Sequence, residues 1–307
     1  TMISAMTVDV APAQIQLTAL PPPIIVLGSR STATAIVGAM LGCNPGAFAL
    51  PQVNLFVGGT LEEVVTAMAD RDQSHVHGLL RALAYVYGSE QTIISVGMAR
   101  RWIMRRLSWP TSQVFDELRR LVAPRRLIDK SATYSEGERS VERILKAAPD
   151  AYFVHVVEHP LTPGAVGGPT LRRARRQRGG GEIPQNQTQW LKAQRRIADV
   201  MKAVEPSRLA ILRMESLLSE PHAEISDLCK RLDLPNDDSA VADMLHPENS
   251  PFASLGPVGA NLGDDPAFLR DPTFPPKHIA SRSFSAGARK EQPRMLPEVA
   301  AAAAKYG

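Results

Sequence analysis

Residues 28–34, Gly-Ser-Arg-Ser-Thr-Ala-Thr, place one guanidinium among several hydroxyls on a short stretch of chain. They follow the β-branched run Ile24 to Leu27 and precede a helix-like apolar pattern from Thr34 to Leu41. A turn from a strand into a helix exposes unpaired backbone N–H groups and the positive end of the helix dipole, both of which favour an anion. Phosphate or sulfate suits such a turn, because it accepts several hydrogen bonds and pairs with a guanidinium in a fork. Neither GxxxxGK[ST] nor GxGxxG is matched, so no Walker or dinucleotide signature specifies the ligand. The same residues would also serve an ordinary strand-to-helix turn with an N-cap serine, and this segment alone leaves both readings open.

Other side chains able to do chemistry are scattered. Lys130 ends the short run RRLIDK, where it either meets an anionic group or is solvated. His75 and His77 open the helical pattern HGLLRAL; as histidines they are candidate proton acceptors, or else cap or surface residues. Glu158 sits at the end of AYFVHVVEHP, while His155, inside that apolar run, reads as core. Arg172, Arg173, Arg175, Arg176 and Arg178 crowd the segment LRRARRQRGGG. That cluster is either a solvated loop, as the glycine run after it suggests, or a landing site for a phosphate or an acidic carrier protein.

The elements needed to position these groups are legible in outline. The chain has 307 residues, 44% of them hydrophobic, enough for one substantial α/β core. Strands are expected at 24–27, at RRLIDK, at AYFVHVVEHP up to Pro160, and at RLAILRM. Helical spacing fills residues 60–122, SEGERSVERILKAA with a serine cap, TQWLKAQRRIADVMKAV, and PHAEISDLCKRL with proline at its start. Strands alternating with helices predict a parallel sheet covered on both faces: an α/β, P-loop-like, three-layer α/β/α fold with an inserted helical region. Residues 1–22 read as a flexible lead, 23–275 as the domain and 276–307 as an extended tail, with a short terminal helix in PEVAAAAAKY.

Composition narrows the function classes. The formal charge of +4 is accounted for by the arginine cluster, and with only 5% aromatic residues and no recognised module, nucleic acid is not the expected partner. The apolar stretch 24–42 is broken by Gly28, Ser29, Arg30 and Ser31, which excludes a membrane span there. TMISAMTVDVAPAQ lacks the basic and apolar regions of a secretory signal. Two separated cysteines, Cys43 and Cys229, make neither a disulfide framework nor a metal site, so the expected compartment is the cytoplasm.

Taken in order, these segments resemble the PAPS-dependent sulfotransferases (PAPS, phosphoadenosine phosphosulfate), in particular those of bacterial polyketide pathways. The loop 28–34 is similar to that family's Gly-x-Pro-Arg-Ser-Gly-Thr-Thr. LGCNPGAFALPQVNLF looks like its His-Pro and Pro-Glu-x-x-Leu-Phe segment, and LIDKSATY like Lys-Ser/Thr-Pro-x-Tyr. APDAYFVHVVEHP resembles the strand ending in Val-Arg-His-Pro, and RLAILRMESLLSEP the stretch with Arg-Tyr-Glu-Asp-Leu. SPFASLGPVGANLGDDPAFLRDP is similar to the end of such domains. Agreement across ordered weak motifs is more specific than any one of them.

The resemblance implies that Gly28, Ser29, Arg30, Ser31, Thr32, Ala33 and Thr34 hold the phosphosulfate, that Lys130 meets the sulfuryl group or the substrate, and that no metal is needed. It also exposes departures that make the donor site degenerate. Gln52 falls where the family's Pro-Glu carboxylate would be, Asn54 is no substitute, and His75 and His77 are the nearest replacements. Glu158 takes the place of the arginine that binds the donor's ribose phosphate, and Gly164 to Gly167 offer no hydroxyl where a serine is usual. A carboxylate against a phosphate costs about 4 kcal/mol per charge pair at an effective dielectric of 20. Thr32 replaces a glycine, and one residue is missing between Gly28 and Arg30.

Three functions follow. The first is transfer of a sulfuryl group from PAPS to a hydroxyl of a small biosynthetic intermediate, free or bound to a carrier protein. The second is altered chemistry on the same scaffold, such as cyclisation or elimination, with Glu158 as acid or base. The third is a non-catalytic subunit that works with a partner protein.

Overall fold

The computed structural model describes residues 19–29, 31–71, 73–160, 182–276 and 295–307. Five strands form one parallel sheet in the order β2-β3-β1-β4-β5, with β1 at Ile24–Gly28, β2 at Ala47–Ala49, β3 at Arg126–Asp129, β4 at Tyr152–Val157 and β5 at Leu209–Arg213. The strand β2 escapes a sequence reading because three residues, Ala-Phe-Ala, carry no usable periodicity. Its neighbour β3 holds it in register through Ala47 to Arg126 and Ala49 to Ile128.

Alternation along the strands builds the layers. Ile25, Leu27, Leu127 and Phe153 face one way into a core closed by α3 (His77–Gly88), α5 (Thr111–Val122), α6 (Glu138–Ala147) and α7 (Glu182–Met201). Ile24, Val26, Ile128, Val154, Val156 and Leu212 face the other way, against α1 (Ser31–Gly42), α9 (Pro221–Leu232) and α10 (Asp238–Met244). Each fully buried side chain of this size contributes roughly 1.5–3 kcal/mol, and because β1 is apolar on both faces, the fit of its side chains to the two cores sets its register. The helix α1 carries no charge and is buried nearly all round, which explains why its sequence is apolar on every side.

The helical region inserted between β2 and β3 consists of α2 (Leu61–Arg71), a 3-10 turn at Gln73–Val76, α3, α4 (Ile93–Met104) and α5. The helix α4 is started by a capping box: the Thr92 hydroxyl accepts from Ser95 N and the Ser95 hydroxyl from Thr92 N. Two details depart from the sequence reading. The N-cap of α6 is Gly137 with no side-chain bond, and α7 begins at Glu182, ahead of the TQW motif. After β5 come α8 (Met214–Ser219), α9 and α10; the later chain wraps the sheet with short turns and α11 (Pro266–Arg270). The helix α12 (Pro297–Ala303) packs Val299 with Trp190, Leu191 and Val157.

Candidate active site

The crossover from β1 leads to β2 on one side of the sheet, and that from β4 leads to β5 on the other. Chain direction therefore diverges between β1 and β4, and the crevice outside the carboxyl ends of such strands is where open α/β sheets bind ligands. The loop 28–34 leaves β1 at that point and enters the amino end of α1. Ser29 Oγ is buried there with no hydrogen-bond partner among the described residues. Ala33 and Thr34 are buried and Thr32 is half-buried. Arg30 lies outside the described residues, as do the cluster Arg172 to Arg178 and Gly164 to Gly167.

A dipeptide far away in sequence clamps this corner. Thr32 Oγ1 donates to Asp265 Oδ1 at 2.9 Å across 233 positions. Lys130 Nζ, buried and directly after β3, pairs with Asp264 Oδ2. Asp264 Oδ1 also accepts from Asp265 N at 2.9 Å and Gln52 Nε2 at 3.4 Å, so its carboxylate is held on both oxygens. Asp265 caps α11 through Ala267 N and Phe268 N, which fixes the dipeptide to a helix start. Lys130 is thus no solvated strand-end residue: its stem runs against Gly38 of α1, where any Cβ would overlap it.

Asp264 lines a cleft of about 350 Å³ together with Gln52, Asn54, His75, Thr133 and Asp265. Its walls meet by backbone contact. Gln52 N donates to Gly263 O at 2.9 Å, and a Cβ on Gly78 would fall 2.0 Å from Gln52 O. Gly263 itself adopts φ +104, a conformation that side chains other than glycine's rarely allow.

A buried network fixes the cleft from below. Tyr134 OH donates to Asp129 Oδ2 at 2.7 Å, and Ser131 Oγ donates to Asp129 Oδ1 at 2.8 Å while accepting from Asn54 N at 2.9 Å. Burial pushes the Asp129 carboxyl up, and the bonds from Tyr134 and Ser131 oppose that shift. Asn54, at φ 52, accepts from Thr133 Oγ1 at 2.8 Å and donates to His75 O at 3.2 Å, which anchors the histidine's backbone. His75 lines the cleft. His77, two residues on, lines a different cavity, and its Nδ1 accepts from Leu262 N at 3.3 Å.

Glu158 belongs to a third place. It follows β4 in a cavity of about 250 Å³ with His159, Trp190, Arg213, Glu215 and Tyr306. Glu215 Oε1 accepts from His159 N at 2.8 Å, and Trp190 Nε1 donates to Glu158 O at 2.9 Å. His155 is buried beneath this end of β4, its ring edge-on to Tyr306 at 5.4 Å, and burial lowers its pKa to about 4. The sequence-predicted residues accordingly divide: Gly28 to Thr34 (Arg30 aside), Lys130 and His75 gather around one corner, and His77 and Glu158 do not line its cleft. Asp264 and Asp265 were missed. Their one local signal was the Asp-Asp-Pro pattern of a helix cap.

The orphaned Ser29 hydroxyl and the amino end of α1 fit the phosphosulfate of PAPS at the β1 corner, where Lys130 is buried and paired with Asp264. Two carboxylates at the β4 cavity do not fit a further phosphate, although Arg213 shares that cavity. Among the described residues no group of three His, Cys, Asp or Glu is placed to hold a metal ion, and no described helix is long and apolar enough to cross a membrane.

Comparison with solved structures gives a sulfotransferase domain from the curacin biosynthetic pathway, 22% identical, TM-score 0.73, covering 94% of this chain and 98% of that one. A sulfotransferase domain from the Synechococcus PCC 7002 olefin synthase is 20% identical, TM-score 0.70, covering 93% of this chain and 94% of that one. Both show the fold. Comparison with curated proteins gives no match. The model of the sulfotransferase family matches residues 22–238, most of the chain and all five strands, and the chain therefore belongs to the sulfotransferase family.

Proposed function

We propose that this chain is an enzyme that transfers a sulfuryl group from PAPS to a hydroxyl of a small biosynthetic intermediate, of polyketide or peptide type, free or carried on a protein. The observation that carries this reading is the cleft lined by His75, Asn54, Gln52 and Asp264, beside the anion-favouring loop at the carboxyl ends of β1 and β3. Residues 23–275 form the catalytic domain in this reading. The proposed compartment is the cytoplasm, on the strength of two unpaired cysteines, Cys43 and Cys229.

Gly28 to Thr34 and Lys130 would hold the phosphosulfate through backbone N–H groups, hydroxyls, the Arg30 guanidinium and the ammonium. When bound, PAPS supplies the sulfuryl group, with the sulfur–oxygen bond to its phosphate breaking as that to the acceptor oxygen forms. The chain's own work is positioning and charge neutralisation. His75 takes the acceptor's hydroxyl proton, its backbone held by Asn54. Asp264 keeps Lys130 directed into the corner, and the Gly78–Gln52–Gly263 contact closes the cleft's wall.

Glu158 and Glu215 support a second reading, a sulfotransferase-fold enzyme that uses no PAPS and performs cyclisation or elimination. Radiolabelled PAPS incubated with hydroxylated small acceptors separates the two. Label appearing on an acceptor, with loss of transfer in His75→Ala, supports sulfuryl transfer. Consumption of an acceptor without label supports the second reading, and no turnover until another protein is added supports a partner subunit.

A further inference from the structure

Arg81, on α3, is 1% exposed, although arginine is almost never fully buried without a partner of opposite charge. All three of its nitrogens donate to neutral oxygens: Nε to Gln91 Oε1 at 2.6 Å, Nη1 to Leu262 O at 2.9 Å and Nη2 to Ser254 O at 2.8 Å. Gln91 extends the grip, its Nε2 donating to Pro251 O at 2.6 Å. Gly256 makes room for the guanidinium, since a Cβ there would fall 2.9 Å from Arg81 Nε and 2.2 Å from Ala260 O. A planar fork that binds carbonyls at fixed directions holds backbone in place. Burial lowers the Arg81 pKa to about 10, against the opposing pull of the Asp264 charge, so the group stays cationic at neutral pH.

His77 lies one turn earlier on the same helix. Its Nδ1 accepts from Leu262 N at 3.3 Å while Arg81 donates to Leu262 O, so side chains at i and i+4 grip one residue by both of its backbone groups. Between them, Gly78 brings the helix backbone against the same loop, where a Cβ would lie 2.0 Å from Gln52 O and 2.9 Å from Gly263 O. The residues that follow Leu262 carry the site: Asp264 pairs with Lys130, and Asp265 accepts from Thr32 of the loop after β1. His75 stands two residues before His77, in the turn that leads into α3.

We propose that Arg81 and His77 are positioning residues: by clamping Leu262 to the first turns of α3, they fix the His75 turn relative to Asp264 and Asp265, and through these to Lys130 and Thr32. Neither lines the acceptor cleft, so any effect on chemistry passes through the loop. A displacement of roughly 1 Å between reacting groups lowers a rate by about a hundredfold. The proposal rests on the sulfuryl-transfer reading for its effect on turnover, whereas the clamp itself is measurable without donor or acceptor.

The test compares the full chain with Arg81→Met, Arg81→Lys and His77→Phe by hydrogen exchange, by acetic anhydride labelling of Lys130, and by steady-state kinetics with PAPS and an acceptor. Arg81→Met keeps the bulk of the stem and deletes the three donors. Exchange should quicken across residues 254–265 and stay slow in β1 and β4, and Lys130, protected in the unaltered chain, should become labelled. kcat should fall by about a hundredfold while acceptor KM moves much less. Arg81→Lys, which keeps the charge and loses the fork, should behave as Arg81→Met does. If Arg81→Met does not fold, His77→Phe, which deletes one bond, should give the same local pattern at smaller amplitude. Exchange that quickens uniformly across the sheet, or a loop and a Lys130 as protected as before, overturns the proposal. So does a loosened loop with kcat unchanged. An unaltered chain that does not turn over PAPS refutes sulfuryl transfer, and exchange and labelling still decide the clamp.

Discussion

The carboxyl ends of β1 and β4, adjacent strands of one sheet, are finished in opposite ways. Beside β1, the amide groups of a helix start and the Ser29 hydroxyl favour an anion, and the two local carboxylates are occupied: Asp264 by Lys130 and Asp265 by Thr32 and the cap of α11. Beyond β4, Glu158 and Glu215 share a cavity with a single arginine, under the helix that contains Val299. The contrast shows that neighbouring corners of one parallel sheet can differ in charge, because each corner is built by its own loop and the sheet's register is indifferent to both.

The largest effect should come from breaking the β1 corner. Lys130→Ala leaves Asp264 buried without its partner and should cost about 3–5 kcal/mol in denaturant unfolding. The double change Lys130→Met with Asp264→Leu should recover most of that stability while activity stays lost. Recovery of activity along with stability would reduce the pair to a structural role.

The β4 end has its own signature in pH. Burial holds the His155 pKa at about 4, below its unfolded value of 6.5, so the unfolded chain binds more protons between those values. Stability contributed by neutral His155 is full above about pH 6.5 and is lost as pH falls towards 4, by roughly 3 kcal/mol in all. Thermal unfolding across that range should show the slope, and His155→Leu should flatten it.

Glu158→Arg reverses charge at the same end and should tighten PAPS by on the order of a hundredfold. A weaker complex would place the nucleotide's second phosphate elsewhere. Smallest is Asn54→Ala, which removes bonds to Thr133 and the His75 backbone and should cost about 1–3 kcal/mol of stability, with turnover falling further than acceptor affinity.

Much of this contrast was legible before the fold. β1, the 28–34 turn and the departure at Glu158 stand out because continuous apolar runs mark buried parallel strands and the residues after them mark ligand corners. Asp264 and Asp265 did not, since a contact across 233 positions leaves no local trace beyond a cap pattern. Lys130 read equally well as solvated, because nothing near it in sequence reveals that Gly38 makes room for its stem. His75 and His77 looked equivalent, and only the change from the 3-10 turn that holds His75 to α3, which starts at His77, sends one to the cleft and the other to a separate cavity.

The most direct measurement is isothermal calorimetry of the chain with PAPS and with its desulfated nucleotide, on the unaltered protein and on Arg30→Ala. Saturable binding of PAPS at or below millimolar concentration, abolished by Arg30→Ala, is predicted if the β1 corner holds the sulfuryl donor. No binding of PAPS at millimolar concentration would contradict it.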